Sequence, residues 1–114
     1  MELSKPNQNG VLETGRREVV ATYGRSYAAV ELALCEDGLY RFSVELFYSY
    51  GGFCGPICHT AEGFATAAAA RTAGLEKLLR KWHRPFASDP ASVHEELRIL
   101  REQVEGQLRQ PSLF

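Results

Sequence analysis

The chain has 114 residues, a formal net charge of −1, 45% hydrophobic and 24% charged residues. That length suits one domain, that composition excludes a disordered chain, and that charge gives no whole-molecule attraction to nucleic acid or an anionic membrane. No stretch reaches the roughly 18 consecutive apolar residues of a membrane span, and residues 1–10 hold no apolar signal core, so the expectation is a cytoplasmic protein whose three cysteines stay reduced.

Residues 1–15 are polar and turn-rich and read as a loose tail, with Val11 and Leu12 as docking points. A strand pattern begins near Arg17 and runs through Val19, Val20 and Tyr23 to a turn at Gly24-Arg25-Ser26. From Tyr27 to Cys35, Val30, Leu32 and Leu34 alternate with Glu31, Ala33 and Cys35. From Leu39 to Tyr50, Tyr40, Phe42, Val44, Leu46, Tyr48 and Tyr50 alternate with Arg41, Ser43, Glu45, Phe47 and Ser49. Period-2 alternation marks strands with one buried face. Asp37-Gly38 between them supplies the positive φ of a tight hairpin turn. The glycine-rich run Gly51–Pro56 ends the third strand.

A helical period then runs from Ala61 to about His83, with Phe64, Ala68, Leu75, Leu78, Leu79 and Trp82 on one stripe and Lys77, Arg80 and Lys81 opposite. Alanines at 67–70 allow close approach to a sheet, and Pro85 stops the helix. After a short linker, Asp89-Pro90 reads as a helix start. Val93, Leu97, Leu100, Val104 and Leu108 form a narrow stripe to about residue 109, supported by Glu95–Arg98, Arg98–Glu102 and Glu105–Arg109 spacings. The predicted fold class is α+β: a three-stranded antiparallel sheet packed on one helix over residues 16–84. Residues 85–114 add a linker and a C-terminal amphipathic helix.

The stretch Ala67-Ala68-Ala69-Ala70-Arg71-Thr72-Ala73-Gly74-Leu75-Glu76-Lys77-Leu78-Leu79, behind three antiparallel strands, resembles the last helix of double-stranded RNA-binding domains. The resemblance covers about residues 18–82 and implies a β-β-β-α fold. The family's RNA-contacting lysines lie at the start of this helix, where the present chain reads His59-Thr60-Ala61-Glu62-Gly63, so no family residue role is carried over.

Catalytic machinery is not legible. Cys54, Cys58 and His59 form a C-x3-C-H cluster, but structural zinc needs four ligands and no second pair follows, so no metal and no cofactor are expected. Either cysteine precedes a helix start, which lowers a thiol pKa, yet nothing is placed to orient His59 as a base. Glu31 and Glu45 could face each other across the hairpin, as solvated sheet residues commonly do. The Gly51–Pro56 loop offers amides to an anion, or simply needs glycine for its backbone angles.

Two contact surfaces remain. The stripe Val93, Leu97, Leu100, Val104 and Leu108 is narrow, like a coiled-coil seam, and with Phe47 on the polar sheet face it points to a protein partner, a second copy included; the other expectation is that this helix folds back on the first helix or on the sheet's other face, over Phe47. The alternative is a nucleic-acid surface made of Lys77, Arg80, Lys81 and Arg84 beside Tyr48, Tyr50 and Phe53. The expected function is therefore a non-enzymatic binding protein, suited to an accessory, adaptor or inhibitory role such as phages and plasmids encode, and without a membrane partner.

Overall fold

Alternating side chains over consecutive segments make the sheet, and glycines place its turns. The computed structural model describes residues 3–4, 11–12, 16–58 and 61–109. Its elements are β1 (Leu3–Ser4), β2 (Val11–Leu12), β3 (Arg16–Tyr23), β4 (Ser26–Cys35), β5 (Tyr40–Tyr48), β6 (Gly51–Phe53), β7 (Ile57–Cys58), α1 (Ala67–Arg80) and α2 (Ala91–Arg109). Strands β3 to β6 form an antiparallel meander in chain order. Beyond the start of β3, β1 adds a short parallel pairing to β4, with Leu3 opposite Leu34. The pair β2–β7 is a separate antiparallel ribbon, with Leu12 opposite Ile57. The rest of the expected N-terminal tail lies outside the described residues.

The meander has four antiparallel strands where three were expected. Gly51–Phe53 turns back onto β5 instead of leaving the sheet, setting Gly52 opposite Phe47. Gly52 permits this: at φ 150° it lies in glycine's territory, and a Cβ there would sit 2.0 Å from the Leu46 carbonyl oxygen. The Asp37-Gly38 hairpin forms as expected, with Gly38 at φ 82° and its N–H donated to the Cys35 carbonyl. Between Val19 and Ala21 the β3–β4 register shifts by a bulge. Val20 and Ala21 are both buried in the helix-side core while Val19 is exposed, so the bulge turns two consecutive side chains to the same face.

Helix α1 starts at Ala67, six residues later than the period suggested, because Phe64 is held extended. Its N–H donates to the Tyr40 carbonyl at 2.8 Å and its carbonyl accepts from Tyr40 N–H at 2.7 Å. Thr66 then caps the helix by accepting from Ala69 N–H at 3.1 Å. Gly74 lets α1 lie close on the sheet; a Cβ there would approach Val30 to 2.9 Å.

Of the two expectations for α2, packing within the chain holds, on the face shared with α1 and not over Phe47. Val93, Leu97, Leu100 and Val104 do not form an open seam. They are buried in the same core as Val30, Val44 and Leu46 of the sheet and Leu75, Leu78 and Trp82 of the α1 region, with Leu108 packed at its edge. Both helices therefore share one face of the sheet. Polar side chains beside the stripe fix α2 there. The buried Glu96 carboxylate accepts from the Ser26 hydroxyl, and from Ser49 N–H and hydroxyl at 2.8 Å each, tying α2 to two strand turns. The Gln103 amide accepts from Thr22 N–H at 3.0 Å and donates to the Thr22 carbonyl at 2.8 Å. Gln107 accepts from Arg71, which also pairs with Glu18 at 2.9 Å. On the outer face, Arg98 pairs with Glu95 and Glu102 as expected, whereas Glu105 pairs with Arg101. Asp89 accepts from Phe86 N–H, upstream of the helix it was expected to cap.

Candidate functional site

The sheet's second face divides into a covered end and an open end. At the covered end, Ile57 of β7 packs on Ala33 and Cys35 in a small second core. Arg41 is buried beside it, donating to Asp37 at 2.9 and 3.0 Å and to the Ala61 carbonyl at 2.8 Å. Its expected place on a solvated face is thus corrected, because the chain after β6 returns over this end.

The open end carries three ordered rows. Thr22, Tyr27, Phe47 and Gly52 face one another across four strands; Val19, Ala29 and Glu45 make the next row, and Arg17, Glu31 and Ser43 the third. Phe47 is half exposed, at 50%, and stacks on Tyr27 with ring centroids 5.8 Å apart. The Arg17 guanidinium lies 4.9 Å from the Tyr27 ring centroid. Glu45 accepts from Arg17 at 3.1 Å and from the Tyr27 hydroxyl at 2.7 Å. These contacts have electrostatic consequences: the bond to Glu45 holds the Tyr27 phenol above its ordinary pKa and also raises that of Arg17. Aromatic, cationic and anionic groups are thereby locked into one arrangement.

That arrangement also settles Glu31 and Glu45. Glu31 is opposite Ser43 and Glu45 opposite Ala29, so the two carboxylates are diagonal neighbours, and Glu45 is already engaged. They border a cavity of about 110 Å³ with Arg17, Ser43, Cys54 and Gly55, too small for a drug-sized ligand. Cys35 is buried, Cys54 exposed and Cys58 half-buried. His59 lies outside the described residues, among which no group of three or more His, Cys, Asp or Glu side chains is placed to hold a metal.

The basic end of α1 does meet aromatic rings of β5 and β6. Lys81 Nζ lies 4.9 Å from the Phe53 ring centroid and Lys77 Nζ 5.7 Å from that of Phe42. Phe53 also packs on His83, with ring centroids 5.4 Å apart. Tyr48, however, is buried, its hydroxyl hydrogen-bonded to His83 Nδ1 at 2.9 Å, and is not a free stacking surface. Burial raises its pKa. Arg80, Arg84 and Tyr50 are exposed.

Of the side chains read from the sequence as protein-binding, only Phe47 stands on an open surface. Val19 and Tyr27 are not among them, although period-2 counting from Phe47 across the hairpin reaches Tyr27. Val19 was hidden by the bulge. No helix among the described residues is long and apolar enough to cross a membrane. Compared with protein-family models, with curated proteins and with solved structures, the chain finds no match.

Proposed function

We propose that the chain is a non-enzymatic protein-contact module, an adaptor or inhibitor acting in the cytoplasm, whose partner seats on the open sheet face around Phe47 and Tyr27. The observation that carries this reading is the Phe47–Tyr27–Arg17 stack held by Glu45. Interface centres favour aromatic residues and arginine. Side chains already fixed in the free protein lose less rotamer entropy on binding, so less of the contact energy is offset. The flanking Arg17, Glu31 and Glu45 give both signs of charge at the rim, where they set orientation more than affinity. This surface replaces the α2 stripe, which the chain's own core has absorbed.

The test compares three immobilised proteins in nuclease-treated lysate: wild type, Phe47→Glu and Arg98→Glu. Phe47→Glu should lose the proteins that wild type retains, with its circular dichroism unchanged. Arg98→Glu, on the outer face of α2, should keep them. Equal retention by Phe47→Glu and wild type would remove the sheet face from the reading.

A further inference from the structure

The cations of this chain differ in how they are partnered. Arg17, Arg41, Arg71, Arg98 and Arg101 each hold a carboxylate. Lys77, Arg80, Lys81 and Arg84, gathered at the end of α1 and just past it, have no carboxylate partner among the described residues. Beside them lies a cleft of about 500 Å³ between α1 and the 61–64 segment. Phe42 and Phe64, with ring centroids 6.0 Å apart, provide its aromatic surface; Glu62, Glu76, Lys77 and Arg80 supply its charges. The volume falls within the roughly 300–1,000 Å³ of ordinary ligand sites.

We infer that this cleft and the cationic strip beside it bind single-stranded nucleic acid. An unstacked base enters against Phe42 and Phe64, since every base offers a π-face to an aromatic side chain. The Glu62 and Glu76 carboxylates accept from the base's exocyclic amine, as acidic side chains do from cytosine N4. The phosphates follow Lys77, Arg80, Lys81 and Arg84. A duplex keeps its bases stacked and out of reach of such a cleft, and an acidic peptide could follow the cations but has no amine-bearing base to place in the cleft. This surface shares no residue with the Phe47 face, so either can fail alone. It reaches Glu62, within the 59–63 segment where the double-stranded RNA-binding likeness puts its lysines, but its cations lie at the opposite end of α1.

The test is fluorescence anisotropy with a labelled oligo(dC) of roughly 12 nucleotides, within the range of known single-strand sites. If three to four phosphates are neutralised, raising salt from about 50 to about 200 mM should weaken binding about 20- to 50-fold. Lys77→Glu with Arg80→Glu, both on an exposed helix face, should abolish binding, and Arg98→Glu should not. Oligo(dC) should bind tighter than oligo(dT), which lacks the exocyclic amine, and that preference should shrink in Glu62→Gln with Glu76→Gln. Absence of binding at low salt, undiminished binding by the double charge reversal, or tighter binding of the matching duplex would overturn the inference. So would a free nucleoside monophosphate that binds as tightly as the strand, since the cationic strip beyond the cleft would then have no phosphate to follow.

Discussion

Leu46 and Phe47 are neighbours in β5 and have opposite fates. Leu46 is 2% exposed beneath the helices, while Phe47 is half exposed on the other side. The helix face of the sheet is closed by two helices, whose apolar side chains merge into one core. Among the described residues the second face is closed only where the chain returns through Ile57, leaving the Tyr27–Phe47 end open. Alternation along a strand guarantees that the two faces differ. What each face meets depends on connections between elements, and those follow from a few polar side chains and glycines.

The sharpest way to break this contrast is truncation of the two neighbours. Leu46→Ala should lower unfolding free energy by about 2–5 kcal/mol in urea titration, and Phe47→Ala by less than about 1 kcal/mol. Equal losses would mean that the second face is also core.

Glu96→Ala should cost about 1–3 kcal/mol, because Ser26 and Ser49 lose their acceptor. Burial pushes the Glu96 carboxyl up, but the Ser26 and Ser49 hydrogen bonds together outweigh it and leave its pKa below the ordinary value. Its contribution is therefore fully present above the unfolded-state pKa of about 4.3 and fades as pH falls through the lower folded value. The wild-type advantage over Glu96→Gln, followed by denaturation at descending pH, should shrink across that acidic window. An advantage that grew on acidification would show the shift to have the opposite sign.

A smaller effect tests how closely α1 lies on the sheet. Alanine gains about 1 kcal/mol over glycine in a helix, yet a Cβ at Gly74 meets Val30 at 2.9 Å, and overpacking of this kind costs about 1–3 kcal/mol. Gly74→Ala should thus be destabilising by about 1 kcal/mol net in thermal unfolding. A stabilised variant would mean that α1 can shift outward freely.

The hairpin was legible because Asp37-Gly38 and the flanking alternation state the same thing locally. The α1 core stripe was legible for the same reason. Its start was not, since Phe64 fits the helical period as well as the strand bridge it makes with Tyr40. Thr66 before four alanines was the available cap signal. The destination of α2 was hidden because an apolar stripe requires burial without naming the surface that provides it. A clue stood beside it: Glu96, Gln103 and Gln107 border the stripe, and all three reach groups on the sheet or α1. A solvent-facing seam is more commonly flanked by alternating opposite charges than by two glutamines. The open face was half legible through Phe47, while the bulge that brings Val19 beside it has no clear mark in the sequence.

The Gln103–Thr22 pair has a consequence for how copies of this chain behave in a crowded solution. β3 is the long outer strand of the meander, and a bare strand edge is a template for adding another chain. Gln103 occupies one N–H and one C=O of that edge with a side-chain amide that mimics a neighbouring strand's backbone, and the bulge distorts the ladder nearby. Detachment of α2 would expose the edge and the apolar stripe together. The helix that completes the core is thus also the guard against fibrous self-addition, and its detachment, not the exposed Phe47, is where aggregation would begin.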